Sequence, residues 1–552
     1  MNFKFSKKFL TALLVVSLSC STISYSAQNE TKITTQTAEQ KQVKNVIMLI
    51  PDGASITHFS LSRWYKGGTP LAMDEMACGL VRTYSADAAI ADSAPAGTAM
   101  ATGFKSHTGY VAVLPDIANM YGSPSMSSGD EKKPLATILE AAKIAGKSTG
   151  IVATSNIQHA TPADFSSHFY NRGNYELLGE QQVYNGIDVV LGGGSKYLKK
   201  ENRIDKEDMI GELKNLGYDV VYTKEDMEKS TNTKLWGLFA DDAMSYELDR
   251  EKLTPTEPSL ENMTEKALNL LSKNNKGFFL MVEGSKIDWA SHANDPVGVI
   301  SDVLAFDKAV EKALEFAKKD GNTVVIVAAD HGNGGLTIGN RDTSKNYDKL
   351  PLSAFIDPLK KASLTGEGLE TKLNADRSNT KEVMKEYFGV ADLSDDELAS
   401  IINAKKGEMN YAVGPIISKR ALLGWTTNGH TGEEVPLYVY HPKNIRPTGV
   451  IQNSDIGKYM SEVLNLNLSK TTDELFVNII PILTQAQLTY SWKNGDFNDP
   501  ELLVTDNTNN LSIPANKNYV ILNGKKILSK GVNVFIDGEK FYVSKEIAEQ
   551  LK

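Results

Sequence analysis

The stretch Asp92-Ser93-Ala94-Pro95-Ala96-Gly97-Thr98-Ala99 sets a serine hydroxyl beside a carboxylate where small residues and a proline open a helix. A helix N-terminus offers free N–H groups and the positive end of the helix dipole, which together suit an anion. A serine there can attack a phosphoryl group while backbone N–H groups hold the transferred phosphate. Taken alone, a serine at such a position is more often a plain helix cap, so its meaning rests on the other residues of the chain.

Several of those have the chemistry of metal ligands. Asp288 and His292 are four apart, so one helical turn puts both on one face, where they can share a zinc; a surface ion pair is the plainer alternative. Asp330-His331 leaves an apolar run and enters Gly332-Asn333-Gly334-Gly335, whose glycines let backbone fold closely around a site. A carboxylate at the end of a buried strand needs a partner, and a cation serves. His430 lies in Asn428-Gly429-His430-Thr431-Gly432-Glu433, and Asp52 in Pro51-Asp52-Gly53, where a turn-forming role is the alternative. So many ligand types at strand ends argue for more than one divalent ion. Two ions ~4 Å apart can activate a nucleophile and stabilise the leaving oxygen of an in-line displacement. Arg172 adds a planar fork for two phosphoryl oxygens.

The elements that must position these groups are legible as alternation. Asn45–Leu49, 149–153, 187–191, 278–282 and 323–328 are short, continuous apolar runs, as expected for strands covered on both faces. Between them lie amphipathic patterns. Leu135, Ile138, Leu139 and Ala142 form one face, stopped by Gly146; Val303, Phe306, Val310, Leu314 and Ala317 form another, closed by Gly321. Such alternation predicts an α/β fold, a three-layer sandwich around a mainly parallel sheet. Ligands in such a sheet bind beyond the carboxyl ends of the strands, which is where Asp52, the 154–172 segment, Glu283–His292 and Asp330-His331 fall.

The chain has 552 residues, 41% of them hydrophobic, and a net charge of -9, which gives no sign of nucleic-acid binding and requires local cations for an anionic substrate. Residues 1–27 read as a cleaved secretory signal: Lys4, Lys7 and Lys8 precede an apolar run too short to span a bilayer, and small residues end at Ala27. Lipidation at Cys20 is the alternative, and cleavage near Ala27 would discard that cysteine. Cys78 is the other cysteine, so the mature chain has no internal disulfide. Residues 28–42 form a polar lead-in, 43–487 the catalytic domain with an insertion at about 338–425, and 488–552 a linker and a small β-hairpin module. The hairpins turn at Asn523-Gly524 and Asp537-Gly538. This module is either an appended unit for attachment or a set of strands packed on the main body.

In this order, Pro51-Asp52-Gly53, Asp92-Ser93-Ala94, His159-Ala160-Thr161-Pro162 with Arg172, Glu283 to Asp288 with His292, Ala329-Asp330-His331 and Gly429-His430-Thr431-Gly432 give residues 43–485 a close resemblance to bacterial and animal alkaline phosphatases. The resemblance implies a metal-dependent hydrolysis of phosphate monoesters through a phosphoserine. It makes Ser93 the nucleophile and Arg172 the phosphate-binding group, with Asp92 and Ser93 also lining the substrate site. Asp288, His292 and His430 would hold one Zn2+; Asp52, Asp330 and His331 would hold the other. Asp52, Thr161 and Glu283 would hold a Mg2+. It also implies a homodimer; the signal segment implies export to the periplasm or outside the cell, and Cys20 or the tail is expected to allow attachment to the envelope. His159 and Trp289 stand near the third ion where some members carry Asp and Lys, and an imidazole there is expected to weaken magnesium binding. Three rivals remain at this stage: a phosphodiesterase of the same superfamily, a sulfatase, whose pattern would place Arg at Gly97, and a non-enzymatic exported binding protein.

Overall fold

Strands of β-branched and apolar residues organise the molecule. The computed structural model describes residues 42–493, 499–505 and 509–551. The signal segment with Cys20 and all of the lead-in but residue 42 lie outside the described residues, as does part of the Asn-rich linker.

The central sheet consists of β1 (Asn45–Pro51), β2 (Ala77–Arg82), β3 (Ser148–Asn156), β4 (Val189–Gly193), β5 (Asp219–Val221), β6 (Leu235–Leu238), β7 (Phe278–Gly284), β8 (Thr323–Ala328), β9 (Val435–Tyr440) and β10 (Gly449–Gln452). Their order is β10-β2-β9-β8-β1-β7-β3-β4-β6-β5. Among these strands β9 runs antiparallel to its neighbours β2 and β8, and the remaining pairings are parallel. Every residue of β1, β7 and β8 is buried, which is why these strands read as unbroken apolar runs. Helices surround the sheet. The helix Pro296–Asp320 starts from the Asp295 cap with Pro296 in its first turn, and Gly321 ends it at φ 70°.

Several expected boundaries moved, two of them for a visible reason. The helix expected from Leu135 begins at Ile138, because Thr137 caps it and Glu140 reciprocates on the Thr137 N–H at 2.9 Å. The strand expected at 187–191 runs Val189–Gly193; just ahead of it the Asp188 carboxylate accepts the Thr149 N–H at 2.8 Å, ending the ladder on that side.

The segment at 338–425 is closed at its base by Thr337–Ile338 pairing with Leu423–Gly424. Its helices bury an apolar cluster that includes Phe355, Met384, Phe388, Ile401 and Val413 and is shared with Leu61, Val297 and Ile300 of the main body. Beyond residue 476 come two antiparallel sheets. One contains the expected hairpin of Tyr519–Leu522 with Lys525–Leu528, turning through Asn523 and Gly524 at φ 50° and 80°. In the other, Val534–Asp537 pairs with Lys540–Val543, which also pairs with Val477–Asn478. Val532, Val534, Ile536 and Tyr542 join the main hydrophobic core. No helix among the described residues is long and apolar enough to cross a membrane.

Candidate active site

The carboxyl ends of β1, β7 and β8 lie side by side, and the chain leaves each with an acidic residue. Asp52 follows β1, Glu283 closes β7 opposite Ile50, and Asp330 follows β8. The turn after Asp52 must be tight. Gly53 sits at φ 68°, donates its N–H to Asp330 Oδ1 at 3.1 Å, and has no room for a Cβ, which would come within 2.5 Å of Asp288 Oδ1.

Asp288 and His292 share the face of the short helix Lys286–His292, with Asp288 Oδ2 3.3 Å from His292 Nε2. His430 arrives from the far side of the chain. The short ladder pairing His430 with Asn333 and Thr431 with Gly332 places its ring on that of His331, with centroids 3.6 Å apart. Each imidazole is oriented by a main-chain carbonyl on Nδ1. His292 meets Asn428 O at 2.6 Å, His430 meets Ala91 O at 2.7 Å and His331 meets Gly332 O at 3.2 Å. With Nδ1–H donating outward, each Nε2 faces the site. The Nε2 atoms of His292 and His430 then oppose each other at 3.2 Å, an arrangement that a shared cation relieves.

Three groups of side chains converge closely enough to hold an ion: Asp288 with His292 and His430, Asp52 with Asp330 and His331, and Asp52 with His159 and Glu283. Several oxygens in and beside these groups are buried without partners. Both carboxylate oxygens of Asp52, Glu283 Oε1, Asp330 Oδ2 and Thr161 Oγ1 lack a hydrogen-bond partner among the described residues, an arrangement that bound cations would satisfy. Burial, then Asp330, Asp288 and Glu283, push Asp52 well above the usual carboxylate range. Burial raises Glu283 to about 7. Burial also opposes ionisation of Asp288, but the hydrogen bond and charge of His292 outweigh it and hold Asp288 low. His331 is pulled down by burial and lifted more strongly by Asp330, to about 9.

Ser93 is the first residue of the helix Ser93–Thr102, with Asp92 at its cap position. The serine is therefore not the cap; its Oγ lies 3.1 Å from His331 Nε2. Nor does the Asp92 side chain cap the helix. It accepts the Gly109 N–H at 3.0 Å and pairs with the Arg172 guanidinium. Arg172 Nη2 also donates to His159 Nε2 at 3.1 Å. The His159 ring meets the Trp289 indole edge-on at 5.7 Å, and the Lys286 ammonium lies over that indole at 4.6 Å. Burial and the neighbouring Arg172 charge push His159 down to about 3, so it is neutral.

Sequence reasoning missed two residues that brace these groups. Asn333 donates to Asp288 Oδ1 at 2.6 Å and to the Asp288 carbonyl at 3.1 Å. Its one signal was an amide set between glycines. Glu433 accepts the Ser55 hydroxyl at 2.5 Å, joining the loop of His430 to the turn of Asp52. His159, expected only near the third ion, is itself part of one convergent group.

The alkaline phosphatase family model matches residues 43–466. The chain belongs to the alkaline phosphatase family. Alkaline phosphatase 3 of Bacillus subtilis (strain 168) is 37% identical over 491 residues, covering 84% of this chain and 98% of that protein. The crystal structure of Thermus thermophilus alkaline phosphatase superposes with a TM-score of 0.69 at 28% identity, over 78% of this chain and 95% of that one. The alkaline phosphatase of the Antarctic bacterium TAB5, in a variant with a histidine changed to aspartate and Mg bound in its M3 site, gives 0.56 at 28% identity, over 77% and 99%. Like its alkaline phosphatase relatives, the protein is a metal-dependent hydrolase of phosphate monoesters. The sulfatase, diesterase and non-enzymatic readings give way to that assignment.

Proposed function

We propose that Ser93 is the nucleophile of this hydrolase, that Arg172 binds the phosphoryl group, and that turnover passes through a phosphoserine. The observation that carries this reading is the 3.1 Å approach of Ser93 Oγ to His331 Nε2 at the start of a helix whose cap residue, Asp92, holds Arg172. Asp288, His292 and His430 would hold one Zn2+, and Asp52, Asp330 and His331 a second beside Ser93. Asp52, Thr161 and Glu283, with His159 and Trp289 close by, would hold a third ion, Mg2+. When bound, such ions ease ionisation of the attacking hydroxyl and stabilise the departing alkoxide.

The protein's own groups then act as follows. Ser93 Oγ gives up its proton to solvent and attacks phosphorus in line with the ester oxygen; the P–O bond to that oxygen breaks on the opposite side, and the departing alkoxide takes a proton from water to leave as the alcohol. Asp92 fixes the Arg172 fork so that it meets two equatorial oxygens without searching for them. The amides of Ser93 and Ala94 lie ahead of the helical ladder and face the same charge. A water entering from the side that the alcohol vacated hydrolyses the phosphoserine, and two inversions restore the configuration at phosphorus. A monoester carries one more negative charge than a diester, which suits this cationic lining. We also read the protein as an exported homodimer, periplasmic or extracellular, with attachment to the envelope through Cys20 or the tail; cell fractionation and sedimentation test these points.

The direct test is hydrolysis of a chromogenic monoester and its matched diester across pH, before and after chelation, with Zn2+ and Mg2+ added back. The expected result is alkaline monoesterase activity, lost on chelation and restored by zinc. A fully metal-loaded protein that leaves the monoester intact would overturn the reading.

His159 tests the third position. A neutral imidazole contributes no negative charge beside Asp52 and Glu283, whereas magnesium prefers carboxylate and water oxygens. His159→Asp is expected to tighten Mg2+ retention about tenfold, measured as metal content after dialysis. An unchanged or reduced magnesium content would remove His159 from that role.

A further inference from the structure

The residues beyond 476 lie past the end of the family match at 466, yet part of this extension is built into the body of the protein. Asn516 and Lys517 are 3% and 5% exposed, and Asn533 is fully buried. Lys517 Nζ enters an acidic pocket between Glu207, 2.5 Å away in a loop, and Glu180 of the helix Tyr175–Asn185, 3.5 Å away, while Arg203 pairs with Glu180 from another side at 3.1 Å. Next to it, Asn516 Oδ1 accepts a hydrogen bond from Gln181 Nε2 at 3.0 Å.

Gln181 leads directly to the phosphate-binding segment. Its carbonyl oxygen accepts the His168 N–H at 2.7 Å, and its amide nitrogen donates to the His168 carbonyl at 3.1 Å. The next residues form a short ladder: Phe169 and Val111 exchange hydrogen bonds at 2.8 and 3.0 Å, and the Arg172 N–H donates to Gly109 O at 2.9 Å. Gly109 in turn donates to Asp92, the carboxylate that holds the Arg172 guanidinium. The helix bearing Glu180 and Gln181 also begins three residues after Arg172, capped by Asn174. Arg172 is thus suspended between its Gly109 ladder and a helix that the extension grips from outside.

We propose that the C-terminal extension is a positioning element of the active site, in which Asn516 and Lys517 hold the Gln181 helix and thereby the segment that presents Arg172 to phosphate. The proposal rests on the assignment of Arg172 to phosphate binding. Asn516 acts through Gln181 and His168; it touches no reacting atom.

Asn516 sits at φ 61°, so Asn516→Gly removes the amide while keeping that backbone accessible. In the full-length, metal-loaded protein, this change is expected to raise both the inhibition constant of inorganic phosphate and KM by about threefold or more, with a smaller change in kcat. Asn516→Asp, which keeps an acceptor for Gln181 Nε2, is expected to restore most of the loss. Asn516→Ser is the milder second variant should the glycine protein fail to fold. Lys525→Ala, on the exposed hairpin of the same extension, is the control expected to match the parent. Folded Asn516 variants that lose thermal stability yet bind phosphate as the parent does would reduce the extension to a structural part and overturn the proposal. Arg172→Ala, measured in parallel, separates the two assignments. Unchanged phosphate inhibition there would mean that the Arg172 reading has failed; weakened inhibition there, but not in the Asn516 variants, means that the brace has failed.

Discussion

Ser93→Ala is expected to lower turnover of a phosphate monoester at least ~10^3-fold while leaving the bound metal unchanged. The two halves of that expectation come from different observations. Turnover falls because Ser93 Oγ is the hydroxyl that stands beside His331 Nε2, at a helix start where a transferred phosphate would meet free amides. Metal content holds because the convergent ligand groups are complete without the serine. The substitution itself is mild, since alanine suits the buried first turn of a helix whose neighbours are already Ala94 and Ala96. Steady-state kinetics and elemental analysis of the same preparation check both halves. Brief incubation with labelled monoester followed by acid quench adds a direct readout: label stays on the parent chain and is absent from the variant. Parent-like turnover by the variant would sink the nucleophile assignment. Loss of metal along with activity would instead make Ser93 part of the ligand shell.

What the sequence revealed of this site depended on where each residue sits relative to the sheet. Asp52 and Asp330 stood out because each terminates an apolar run that could only be a buried strand, and a lone carboxylate at such an end is costly unless paired. Asp288 and His292 were visible through helical spacing. The supports were not visible, because they are defined across the fold. Glu433 reaches Ser55 over a separation of 378 residues, and the carbonyls that orient His292 and His430 carry no side-chain signature. Strands such as β5, with three residues, and β10, half of it exposed, lack the pattern that marked β1 and β7. Asn516-Lys517-Asn518 reads as an ordinary polar turn, and only the folded structure shows that its first two side chains are buried against the Gln181 helix.

Removing the metals is expected to destabilise the protein more as pH rises, so that the gap in Tm between metal-loaded and metal-stripped protein widens from pH 6.5 to 9. The sign follows from which groups hold protons in the stripped fold. Asp52 is held well above the ordinary 3.8 by burial and by Asp330, Asp288 and Glu283, and burial raises Glu283 from 4.5 to about 7. Both therefore bind protons in the folded state that the unfolded chain has already released, and stability falls as pH rises toward their folded values. His331, lifted from 6.5 to about 9 against the effect of burial, stabilises the stripped fold fully below 6.5 and loses that contribution as pH climbs through about 9. His159, lowered to about 3 by burial and Arg172, and His430, lowered by burial and His331, act the other way, but only below 6.5, where their unfolded forms take up protons. Asp288 and Asp330, held low, lose their contribution only in acid. Above pH 6.5 the stripped protein therefore weakens without compensation, by up to about 1.4 kcal/mol per pH unit for each titrating group. The loaded protein moves oppositely, because its ligands must be deprotonated to bind metal. Groups far from the site contribute equally to both forms and cancel in the difference. Thermal unfolding with chelator, and with Zn2+ and Mg2+, across this range reads the gap directly. A constant gap would mean that the buried carboxylates stay ionised without metal, and hence that polar groups of the protein, rather than ions, neutralise them.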